Sequence, residues 1–321
     1  MAAASTDRPF TVPDPGRAPG LPAVEWPTLL LAVATYGGWL AATYAYRVWP
    51  LWAVVVVVVP LLVLHSSLQH EILHGHPTRW RPVNSLLAIV PLSLWLPYRR
   101  YRQIHLIHHV NDRLTDPHDD PETNYWDPGD WARLGAVGRT LVRIQSTLAG
   151  RILLGPFWRI PRHLYKELRA LVRNERHTRA YWPEHLLWCV PVLLWVKAVC
   201  GMPIWIYVLT MVIPGNAILG IRSYAEHRAR PAIRERTAIV EGSWLLGPLF
   251  LFNNLHSLHH EEPLMPWYRY NARYRVVRAR LVADNGGLLY STYFDVARRF
   301  LFRPHDVLVH PTGGVPRTRP A

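Results

Sequence analysis

Apolar residues along this chain gather into blocks nearly free of charge, most clearly residues 26–46 and 51–64, the latter holding an unbroken valine run from Val54 to Val59. At a helical rise of about 1.5 Å per residue, the first block alone is long enough to cross the ~30 Å hydrocarbon layer of a bilayer. Only Arg47 to Pro50 follow it before the next block begins. A link that short predicts an antiparallel helical hairpin of 26–46 and 51–70. Two further spans are predicted at 184–200 and 203–221, joined by the turn Gly201-Met202-Pro203. The stretch 82–96 is apolar but short and punctuated by Pro82, Pro91 and Pro97, which suits a re-entrant or interfacial segment. Between 131 and 179, Arg159, Arg162, Lys166, Arg169 and Arg173 alternate with Ile160, Leu164, Leu168, Leu171 and Val172. That spacing fits an amphipathic helix on an anionic membrane surface and an ordinary solvated helix equally well. The pattern therefore predicts an all-α integral membrane fold of about four transmembrane helices plus interfacial or re-entrant helices. Residues 1–24, with five prolines, read as a disordered cytoplasmic tail, residues 25–303 as the membrane domain, and residues 304–321 as a flexible C-terminal tail.

Charge changes this picture by orienting it. Thirty-six Lys and Arg against 22 Asp and Glu give a net charge of +14. Such an excess would suit a nucleic-acid binder, but the basic residues flank the apolar blocks, at 99–102, 133–179, 222–236 and 269–280. This is the distribution expected of cytoplasmic loops, and nucleic acid is excluded as a partner. Cys189 and Cys200 both lie in an apolar segment, so no disulfide framework or cysteine zinc site is available.

Histidine is where the chemistry lies. Three clusters, His70-x-x-x-His74, His105-x-x-His108-His109 and His256-x-x-His259-His260, place eight of 17 histidines just beyond apolar runs on the basic side. Positions i, i+3 and i+4 share one helical face, so each cluster can aim two or three imidazoles at one point. Imidazole suits Fe, Zn, Cu and Ni, and eight nitrogens exceed the four ligands of a closed zinc site, which favours two metals. His65, His118, His163, His177, His185 and His305 read as surface or capping groups, while His76 divides evenly between that role and the metals. The loop holding Asp116, Asp119, Asp120 and Glu122, together with Asn253 and Asn254, offers groups that could orient the ligands by hydrogen bonds.

The order HxxxH, HxxHH, HxxHH on this topology resembles the membrane fatty acid desaturase and hydroxylase superfamily, over about Trp26 to Arg280. Finer likeness to the bacterial fatty acid desaturase branch lies in His70-Glu71-Ile72-Leu73-His74-Gly75, in Leu114-Thr115-Asp116-Pro117-His118-Asp119-Asp120-Pro121-Glu122 and in Pro263-Leu264-Met265-Pro266-Trp267-Tyr268. The segment Arg222-Ser223-Tyr224-Ala225-Glu226-His227 is similar to that family's separate box. The resemblance implies nine metal ligands: His70, His74, His105, His108, His109, His227, His256, His259 and His260. It further implies two ferrous ions, a lipid or acyl substrate, and O2-dependent desaturation of a fatty acyl chain. The active site would face the cytoplasm from a bacterial inner membrane, as a histidine-rich cap. Hydroxylases and carotenoid ketolases share the motifs. No fused redox element accompanies them, since His310-Pro311-Thr312-Gly313-Gly314 only faintly resembles a haem-binding HPGG element. Electrons are therefore expected from an external carrier such as ferredoxin or rubredoxin with its reductase. Two other readings fit less of the chain: His70-Glu71-x-x-His74 also matches the HExxH of zinc proteases, and a metal transporter would hold its site near the bilayer midplane.

Overall fold

The computed structural model describes residues 16–110 and 114–311. It is mainly helical, with one two-stranded sheet. Helix α1, Trp26–Tyr44, starts with Pro27, whose missing N–H costs nothing in a first turn. Its buried residues Thr28, Ala32, Thr35, Trp39 and Ala42 recur every three to four positions and face inward. Leu30, Val33 and Leu40 point outward and are exposed. Helix α2, Leu51–Leu73, contains Pro60 and packs on α1 as the predicted hairpin. The next two helices in the chain are α3, Arg81–Ile89, and α4, Tyr98–Val110.

Three helices are long and apolar enough to cross a membrane among the described residues: Trp26–Arg47, Leu51–Leu73 and Ile204–Ala225. The fourth predicted span, 184–200, does not meet that standard. It is the end of a longer helix, Arg176–Leu194, continued by a π-helical turn at Trp195–Val199. Arg179, Glu184 and Lys197 dilute its hydropathy. Val192, Val196 and Cys200 nonetheless join Trp39, Val54, Val58 and Tyr207 in the largest apolar core. The short helix α3 agrees with an interfacial segment at 82–96. The Gly155–Val172 helix leaves Phe157, Leu164, Leu168 and Val172 exposed, an apolar face that favours the membrane-surface reading over a solvated helix.

The sheet is small but fixes the third histidine cluster. Ile239–Val240 pairs in parallel with Leu289–Tyr290, Ile239 opposite Leu289. On its other edge, Val240 N–H donates to Asn254 O, and Ser257 N–H donates to Ala238 O. The short helix His256–Glu261 is thereby tied to the strand.

Contacts run past both predicted tail boundaries. Arg17 donates to Glu25 at 2.6 Å, and Val24 bridges Thr78. Pro304 bridges Thr147, Val309 bridges Trp126, and His305 Nε2 lies 2.7 Å from Tyr290 Oη. Residues 1–15 and 312–321 lie outside the described residues. The surface reading of lone histidines fails for three of them. His65 is buried 3.1 Å from Tyr36 Oη, His185 lies 3.1 Å from Leu94 O, and His305 has its tyrosine partner. A side chain with one apolar face and one polar edge packs in a core when that edge finds a partner. His118 is exposed and pairs with Asp127, as a surface group should. The side chain of His177 lies outside the described residues.

Candidate metal centre

All nine candidate histidines meet at one end of the helical bundle. They divide into two groups: His70, His74, His105, His109 and His259 in one, His108, His227, His256 and His260 in the other. Within each group the facing nitrogens lie within 4.8 Å of one another. Helical geometry explains the division. In α4 the i, i+4 pair His105 and His109 serves the first group, and in the His256–Glu261 helix the pair His256 and His260 serves the second. The i+3 residue of each motif, His108 or His259, crosses to the opposite group. The groups touch where the His109 and His260 rings stack, 4.3 Å between centroids and 16° apart.

Outer partners decide which nitrogen faces inward. His108 Nδ1 lies 2.9 Å from Asp120 Oδ1, His105 Nδ1 lies 2.9 Å from Glu122 Oε1, and His227 Nδ1 lies 3.3 Å from Arg236 O. His259 Nδ1 lies 3.0 Å from Tyr270 Oη, and His256 Nδ1 lies 3.3 Å from Asn253 Oδ1. Carboxylates and carbonyls only accept, so these rings carry their proton on Nδ1 and turn an Nε2 lone pair inward. The inward atoms then face one another at short range. His227 Nε2 is 3.1 Å from His108 Nε2 and 2.9 Å from His256 Nε2, and His109 Nε2 is 2.9 Å from His259 Nε2. His70 Nε2 and His74 Nε2 are buried with no hydrogen-bond partner. Opposed lone pairs in a buried pocket repel unless a cation lies between them. The site therefore fits metal ions, and an all-imidazole donor set suits ferrous iron.

Electrostatics point the same way. Burial, and after it the repulsion of neighbouring imidazoles, holds His109, His256, His259 and His260 well below the usual histidine pKa. These rings are neutral at pH 7, as ligands must be. Burial also lowers His227, to about 3. His108 differs: burial opposes its charge, but Asp120 outweighs that and lifts it to about 9. Glu122 is likewise held well below the carboxylate range, because His105 overcomes the effect of burial.

The remaining predicted groups separate cleanly. Asp120, Glu122 and Asn253 touch ligand histidines. Asp116 instead accepts from the backbone of His118 and Asp119, and Asn254 donates to Val240 O. His76 turns away from the metals to Glu25, at 2.9 Å. Glu71, the general base of a protease reading, accepts from Trp267 N at 3.0 Å. Tyr270, the Arg236 carbonyl and Glu226 were not anticipated as partners. Glu226 accepts from Asn253 Nδ2 at 2.8 Å and pairs with Arg222 at 3.2 Å. Its position beside His227 was the only sequence signal, and Tyr270 and Arg236 had none. Asp120→Ala should weaken metal binding by about 10- to 100-fold, the usual effect of losing an outer partner. Asn253→Ala, whose contact is longer, should cost less. Chelator competition on the purified protein measures both.

A helical bundle with membrane-length apolar helices and two adjoining histidine-only sites defines an integral membrane metalloprotein. The fatty acid desaturase family model matches residues 47–294, more than half of the chain, and the protein belongs to that family. Its members are non-haem diiron enzymes, which makes this chain an oxidoreductase of the desaturase and hydroxylase type acting in a lipid or acyl context. A search of curated proteins finds no match to the chain.

Proposed function

We propose that the protein is an O2-dependent fatty acyl desaturase of a bacterial inner membrane, with its histidines on the cytoplasmic side and its electrons supplied by an external carrier. The observation that carries this reading is the convergence of His70, His74, His105, His109 and His259 beside His108, His227, His256 and His260 at the end of apolar helices. Iron held there would supply reductive O2 activation and removal of hydrogen from a methylene. The chain's own part is to hold neutral imidazoles in fixed orientation and to keep water away. Asp120, Glu122, Asn253 and Tyr270 do the first. Ile72, Leu73 and Leu106 on one side, and Leu255 and Leu258 on the other, do the second.

Lipid and carotenoid profiling of cells with and without the chain tests the reaction. New unsaturated acyl chains are expected. Hydroxylated chains or keto-carotenoids instead would place the enzyme with other members of the superfamily. Orientation is tested separately by reporters fused after Arg179 and after Arg236, which should both read cytoplasmic. A signal from the far side at either fusion would separate the basic loops and overturn the assigned orientation.

A further inference from the structure

A cavity of about 480 Å³ beside the first metal group is lined by Arg17, Arg79, Arg81, Arg99 and Arg102 and, among the described residues, by no carboxylate. Its wall includes Leu73, the residue before His74, and Arg102 lies one helical step before His105 on α4. Arg17 precedes α1 and Leu73 ends α2, so the cavity sits at the end of the hairpin where the metals would be, at the depth of lipid headgroups.

Two of the five cations already have a carboxylate: Arg17 meets Glu25 at 2.6 Å and Arg99 meets Glu184 at 2.6 Å. Arg79 lies over the Trp80 ring at 4.7 Å. Arg102 is half-buried among like charges, and burial, opposed by Tyr98 but reinforced by Arg81, lowers its pKa from the arginine range. Concentrated guanidinium charge in a concave, partly dry site is costly unless an anion enters it. Guanidinium forks match phosphate oxygens better than any other common anion of this size.

We infer that this cavity binds the phosphate-bearing group that carries the acyl chain, and so places the chain at the first metal group. The inference rests on the reading of the centre as acyl-modifying. A soluble thioester such as an acyl-coenzyme A and a phospholipid share the required phosphate, and the test separates them.

Full-length, iron-loaded protein would be titrated with coenzyme A by calorimetry. In parallel it would be placed in nanodiscs of phosphatidylglycerol mixed with phosphatidylcholine, and the retained lipid identified by native mass spectrometry. Arg102→Gln and Arg79→Gln would be compared with Arg143→Gln, an exposed arginine outside the cavity. Saturable coenzyme A binding weakened about tenfold or more by the cavity variants alone supports a soluble carrier, the size expected for a charge-assisted hydrogen bond. Phosphatidylglycerol enriched over phosphatidylcholine, and lost in the same variants, supports a phospholipid. Arg79 is exposed, so Arg79→Gln should fold even where Arg102→Gln does not. Neither ligand bound, or equal binding by all three variants, overturns the inference. Neither binding assay needs reductant or O2. A protein that desaturates but ignores these substitutions leaves the proposed function standing, and one that binds phosphate but never desaturates overturns only the function.

Discussion

His259→Ala and His260→Ala should each leave about one iron per chain and no measurable turnover, yet they should remove different irons. The two residues are adjacent on the His256–Glu261 helix, but His259 belongs with His70, His74, His105 and His109, whereas His260 belongs with His108, His227 and His256. Loss of a direct ligand should exceed the 10- to 100-fold penalty typical of an outer partner. Spectroscopy sensitive to each iron's surroundings should therefore give two distinct residual signals from two neighbouring substitutions. The double variant should hold none. A protein that carries stoichiometric zinc and no iron after iron-replete expression would sink the diiron reading. Identical residual signals from both single variants would mean that the five-and-four division is wrong.

That division shows where sequence legibility ends. The identity of the nine histidines follows from motif and spacing, and the structure gathers all nine. Which histidine joins which group does not follow, because on a helix i+3 and i+4 are equally near to i and only the approach of the neighbouring helices decides. The hairpin α1–α2 was legible because its apolar blocks are long and its link short. The segment 184–200 misled because its apolar run is the tail of an amphipathic helix that begins at Arg176. His65, His185 and His305 were misplaced for a related reason: a lone histidine looks polar in sequence, and only the fold reveals Tyr36, Leu94 or Tyr290 beside it. The Nδ1 partners divide likewise. Asp120, Glu122 and Asn253 lie close in sequence to their boxes, whereas the Arg236 carbonyl and Tyr270 reach theirs through tertiary packing.

Turnover should stop altogether when the reduced external carrier is withheld, and the structure indicates where that carrier approaches. A cleft of about 400 Å³ is lined by His108, His109 and His260 together with Arg234, Glu261 and Arg280, so ligands of both groups come near the surface there. Arg280 is tied to Glu261 and Asp284 at 2.5 and 3.2 Å. Arg234 stands exposed at the rim. The arginines of α4 suit docking less well than their sequence suggested, because Arg99 is paired with Glu184 and Arg100 with Glu167 at 2.8 Å. The Arg162 and Arg169 face belongs to the helix whose exposed leucines favour the membrane. Charge reversal Arg234→Glu should therefore raise the concentration of an acidic ferredoxin or rubredoxin needed for half-maximal rate severalfold, with iron content intact. Reversal at Arg162 and Arg169 should instead loosen membrane association. Salt should slow turnover steeply past ~0.1 M, where the Debye length falls to about 10 Å, because steering by exposed charge is screened at that range. Salt-independent turnover, or an Arg234→Glu enzyme with unchanged carrier dependence, would remove the electrostatic approach through this cleft while leaving the metal centre itself untouched.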